Sequence, residues 1–120
     1  MNVRIHEVQG KKIAEMLSDG IILRSSRDAT GLIEDMLSRG LKQLILHERN
    51  VAPEFFQLGT GIAGEVLQKL TNYQIKVALV GQFDSYKSKS LQAFITESNR
   101  GNQIYFTNGL ESALERMGSS

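Results

Sequence analysis

Apolar residues recur along this chain in two rhythms, and the change from one to the other marks out its elements. Ala29, Leu32, Ile33, Met36 and Leu37 repeat at helical spacing behind a Ser25/Asp28 pair set as a capping box, and Gly40 ends the repeat. Ile62, Ala63, Val66, Leu67 and Leu70 form a second stripe of the same period. Leu91, Phe94 and Ile95 mark a third helix ending near Gly101, whose expected role is a left-handed cap. Leu110, Ala113, Leu114 and Met117 mark a fourth, with Asn108 as its cap and Glu111 reaching back.

Between these stripes lie short apolar runs. Residues 41–48 and 75–80 are bounded by turn signals and suit strands buried on both faces of a parallel sheet, and residues 104–106 read as a final strand. Val3, Ile5 and Val8, then Gln9-Gly10, then Ile13, Ala14 and Leu17 predict a hairpin turning at the glycine, with residues 21–23 a further short strand. The expectation is one α/β domain over residues 1–117. It has a mixed, mainly parallel sheet, an N-terminal hairpin and about four flanking helices, with a frayed end at residues 118–120.

Composition narrows function. With 14 Lys plus Arg against 13 Asp plus Glu and no block of like charge, nothing points to a general nucleic-acid binder. Zero cysteines exclude disulfides, thiol catalysis and thiolate metal sites and suit a reducing, cytoplasmic setting. No apolar run approaches the ~20 residues of a membrane helix, and residues 1–9 lack the apolar core of a signal peptide, so a soluble protein is expected.

Four stretches carry candidate chemistry. GTGIAG, residues 59–64, fits the dinucleotide pattern, yet ten residues separate it from the strand before it. The tight strand-to-helix turn that would hold a pyrophosphate is therefore missing, and no cofactor is expected. The glycines serve the fold instead: Gly59 and Gly61 turn the chain into the helix, and Gly64 lets it approach the sheet. GQFDSYKS, residues 81–88, would be a phosphate loop if Tyr86 were glycine. It leaves Lys87 and Ser88 beside a helix start, where an anion or a simple cap is accommodated. HERN places His47, Glu48 and Asn50 at the end of a central strand, the usual address of ligands in open parallel sheets. His47 and Glu48 point to opposite faces and the chain holds only one further histidine, His6, so no metal site is expected. ESNRG contributes Asn99 and Arg100, which reach either carbonyls or a ligand.

The run HERNVAPEFFQLGTGIAGEVLQKLTNYQIKVALVGQF followed by SKSLQAFITESNRG closely resembles the bacterial domain of unknown function 4180 family. That resemblance spans essentially the whole chain and implies no biochemical activity. More remotely, the order strand, GTGIAG helix, VALVG strand, helix, short strand and GLESALERM is similar to STAS domains of sulphate transporters and anti-sigma-factor antagonists. Their Asp-Ser-Ser-Gly-Leu segment, laid on this chain, puts Gly59 on the aspartate and Thr60 on the phosphorylatable serine. The likeness implies a switch at Thr60, where a phosphate would meet the free N–H groups of a helix start. The reading is a small non-enzymatic regulatory or binding module, with a protein, a small anionic ligand or a second copy as partner. The alternative is a small enzyme or phosphate binder using residues 81–90 with His47 and Asn50.

Overall fold

The computed structural model describes residues 1–119, and Ser120 of the expected frayed end lies outside them. Strands β1 (Val3–Val8) and β2 (Lys11–Met16) pair antiparallel through Gln9 and Gly10, whose φ angles of 52° and 78° match the primed turn that a right-twisted hairpin needs. Strands β3 (Gln43–His47), β4 (Lys76–Val80) and β5 (Ile104–Thr107) then add in sequence, giving the order β1-β2-β3-β4-β5 with β2 to β5 all parallel. The expected mixed, mainly parallel sheet is what forms.

Because the strand order steps steadily in one direction, right-handed crossovers must all land on the same face. Helices α1 (Ser26–Ser38), α2 (Ile62–Asn72) and α3 (Lys89–Arg100) do so. Ile33, Met36, Val66, Leu70 and Leu91 pack there on Ala14, Met16, Leu44, Leu46, Val77, Leu79 and Phe106. The alternate strand residues Ile13, Ile45, Ala78 and Tyr105 face the other way, against Ala113 and Met117 of α4 (Leu110–Gly118). One face thus carries three helices and the other only one.

Several local expectations change. Ser25 stands at the start of α1 without a side-chain cap bond, and Asp28 reaches past it to the Arg24 N–H at 2.8 Å. Gly109, not Asn108, caps α4. Gly101 has φ −88° and ψ −161°, so α3 ends in extended rather than left-handed backbone. Residues 21–23 make a single parallel bridge, Leu23 to Val51, instead of a strand. Gly118, expected to fray, closes α4 and is buried so tightly on Val8 that an added Cβ would overlap that side chain.

The ten residues before GTGIAG are not slack. They coil as consecutive 3-10 turns, Glu48–Asn50, Pro53–Phe56 and Leu58–Thr60, which bury Phe55 and Phe56 against the sheet end. Gly61, at φ 80°, then swings the chain into α2, so its lack of a side chain is used as expected. Gly64 is different: it is exposed and an added Cβ would meet open space, so it does not bring α2 closer to the sheet.

Candidate functional site

A crevice opens in an open parallel sheet where the chains leaving two neighbouring strands diverge to opposite faces. Here β3 and β4 both feed helices on the three-helix face, so their exits do not diverge. β5 instead feeds α4 on the other face, and the divergence falls between β4 and β5. A cleft of about 380 Å³ lies there, between residues 81–84 and residues 107–112. Phe83, Ile95 and Phe106 give it an apolar base, and Asp84, Asn108 and Ser112 stand at its polar side. These last three make no side-chain hydrogen bond or ion pair with other described residues.

The first wall is held from beneath by Glu48. One carboxylate oxygen accepts from the Gln82 N–H at 3.0 Å and the other from the Tyr86 hydroxyl at 2.7 Å. Gly81 is needed for this closeness, since a Cβ there would run into the Glu48 carboxylate. Burial, and then the hydrogen bond to Glu48 and its negative charge, push the Tyr86 phenol up to about 12. Tyr86, the residue that departs from a phosphate loop, is therefore the one that ties the loop down. Gln92 completes the wall by donating to the carbonyls of Phe83 and Tyr86 at 2.8 and 2.9 Å.

Asn99 holds the edge of the second wall. Its amide accepts from the Phe106 N–H at 2.7 Å and donates to the Phe106 carbonyl at 3.1 Å, standing in for the strand that β5 lacks on that side. Arg116 of α4 donates to the Asn99 carbonyl at 2.6 Å and lies 4.1 Å over the Tyr105 ring, which joins α3, β5 and α4.

The other predicted residues do not converge on this cleft. Ser88 caps α3 by accepting from Leu91 N–H at 3.2 Å, and Lys87 is exposed outside the lining. Arg100 pairs with Glu97 at 3.0 Å on the surface. Asn50 is fully buried and structural: it accepts from His47 N–H and donates to the carbonyls of Ser18 and Gly20 at 2.7 and 2.9 Å. His47 and Asn50 thus lie outside the cleft lining that residues 81–84 contribute to.

His47 instead belongs to a cluster on the α4 face. Glu15, whose side chain is 8% exposed, accepts from His6 Nε2 at 2.9 Å through one oxygen and from His47 Nε2 at 2.8 Å through the other. Burial pushes the Glu15 carboxyl up, but the two histidine hydrogen bonds and their attraction outweigh it and leave the group below its ordinary value. The sequence reading counts His6 only against a metal site and does not single out Glu15. The signal was present: a two-residue hairpin turn pairs His6 with Ile13 and Arg4 with Glu15, placing His6 and Glu15 diagonally on one face. Among the described residues, no three acidic, His or Cys side chains are arranged to hold a metal ion.

Thr60 stands exposed at the entry to α2. Its hydroxyl lies 3.0 and 2.9 Å from the Glu54 and Gln57 carbonyls, sharing its proton between them, and its oxygen accepts from Ile62 N–H at 3.3 Å. From the turn it holds, Phe56 reaches Tyr86 at 5.1 Å and Phe83 at 5.7 Å between ring centres, and Phe83 meets Phe106 at 5.1 Å. An unbroken aromatic contact chain runs from this turn to the base of the cleft.

The pattern of the family described as a domain of unknown function, DUF4180, matches residues 8–117, and the chain belongs to that family. No curated protein and no solved structure matches it. Among the described residues no helix is long and apolar enough to cross a membrane.

Proposed function

We propose, from membership of a family that brings no activity with it, that this domain is a small cytoplasmic binding module of bacterial regulation whose ligand occupies the cleft between β4 and β5. The observation that carries this reading is the cleft's position together with its unused polar groups. It lies where the fold itself diverges, and Asp84, Asn108 and Ser112 face it without internal partners. At about 380 Å³ it suits a small molecule, near the lower end of ligand pockets.

Thr60 is the proposed switch of that module, in the manner of the STAS domains its segment resembles. A phosphate there would remove the proton the hydroxyl shares between two carbonyls and add about two negative charges beside the first N–H groups of α2. Release of the Pro53–Phe56 turn would pass through Phe56 to Phe83 and so to the ligand.

Native mass spectrometry of protein taken directly from cells tests both parts. The wild-type chain is expected to carry a small adduct, and Ser112→Trp, which fills the cleft from an exposed position, is expected to lose it while remaining folded. Thr60→Glu should weaken retention of the same adduct. An adduct that survives Ser112→Trp would place the ligand elsewhere and end this reading.

A further inference from the structure

The cleft offers one sign of charge only. Asp84 is its single ionisable lining residue, with no lysine, arginine or histidine to oppose it. The other three aspartates of the chain all face arginines: Asp19 with Arg49 at 3.5 Å, Asp28 with Arg24 at 2.9 Å and Asp35 with Arg39 at 3.6 Å. Asp84 has no such partner among the described residues. The start of α4 near Ser112 adds little positive potential, because Glu111 lies in the same first turn. An anion entering here would meet an uncompensated carboxylate, while a neutral ligand would give it no more than a neutral donor in place of water.

We infer that the ligand is a small organic amine, bound as its ammonium ion with the charged head on Asp84 and its apolar body on Phe83, Ile95 and Phe106. This rests on the cleft being the ligand site. An ammonium has three donors; one goes to the carboxylate as a charge-assisted bond, and the Asn108 carbonyl and Ser112 hydroxyl supply neutral acceptors for the rest. The aromatic base suits a cation as well as a hydrocarbon. The volume favours a single small amine over a nucleotide or a peptide. The small anionic ligand expected from Lys87 and Ser88 does not fit this lining, since neither residue reaches it.

Isothermal titration with 2-phenylethylamine, 2-phenylethanol and phenylacetate, three probes of similar shape and different charge, decides the matter. The amine is expected to bind roughly tenfold or more tightly than the alcohol, the scale of one charge-assisted hydrogen bond, and phenylacetate to bind most weakly. Asp84→Asn should bring the amine down to the alcohol's affinity and leave the alcohol unmoved. Phenylacetate binding as well as the amine, or an amine preference that survives Asp84→Asn, overturns the assignment. Binding of any probe that Ser112→Trp abolishes would leave the cleft standing as the site even so. If none of the three probes binds, the amine assignment falls, and the cell-derived adduct with its response to Ser112→Trp then reports on the cleft separately.

Discussion

Two polar clusters sit at the sheet's surface, and they differ in what their groups are already doing. At the β1, β2 and β3 corner, His6 engages one Glu15 oxygen and His47 the other, and all three side chains are less than one-fifth exposed. At the β4 and β5 end, Asp84, Asn108 and Ser112 face a cleft with no internal partner. The first cluster contains the residue types most often associated with catalysis, yet both oxygens of its carboxylate are engaged within it. The second contains ordinary side chains with capacity left over. Binding capacity follows from the unoccupied donors and acceptors beside a cavity more than from the residue types.

The comparison breaks most sharply at Glu15. Glu15→Ala leaves two mostly buried imidazoles without their acceptor and should cost about 3 kcal/mol in urea unfolding, with cleft binding unchanged in whatever remains folded. The wild-type protein should also show an acid limb. The Glu15 pKa is lower folded than unfolded, so its contribution is complete above the unfolded carboxyl pKa and is lost as pH falls through the folded one. Glu15→Gln should flatten that limb in a stability profile against pH.

A smaller effect is expected at Gly81, where Gly81→Ala forces the Glu48 carboxylate aside and should cost about 2 kcal/mol. Because Glu48 holds the cleft wall, the adduct seen by native mass spectrometry should be lost with it, unlike in Glu15→Ala. Tyr86→Phe is milder, removing one hydrogen bond for about 1 kcal/mol. The raised phenol has a matching alkaline signature: its contribution is complete below the unfolded value near 10 and disappears as pH rises through about 12. Ultraviolet titration of phenolate in the wild type against Tyr86→Phe reads this directly. The smallest effect on stability belongs to Asp84→Asn, which should leave the urea midpoint unmoved because the exposed carboxylate supports nothing internal.

Much of the fold was legible, for local reasons. Gln9-Gly10 announces its hairpin because two residues with positive φ are what a primed turn requires. The stripe Ala63, Val66 and Leu70 is the buried side of α2 because only one side of a crossover helix meets the sheet. Caps are less legible: Ser25 takes the first position of α1 but no side-chain bond, because Asp28 turns to Arg24 instead, and α4 starts from Gly109, one residue past Asn108, with no side chain to cap it. The candidate site was legible only in its parts. The segment 81–88 and Asn99 stand out in the sequence and do build the cleft, as wall and edge, while its free chemistry rests on Asp84 within that segment together with Asn108 and Ser112.

Periodicity and turn residues by themselves determined the α/β class, the hairpin and the succession of helices and strands, because each depends on neighbours a few positions apart. They also determined that GTGIAG is a helix entry turning at Gly59 and Gly61, and the structure gives the left-handed backbone to Gly61 alone. Strand order, and with it the face on which each helix lands, depends on contacts between residues 28 to 38 positions apart, such as Thr107 with Leu79 and Glu48 with Tyr86. That order decided that β4 and β5 diverge while β3 and β4 do not. It thereby moved the open crevice from His47 to Asp84, for a crevice belongs to two strands at once and no single stretch of chain records it.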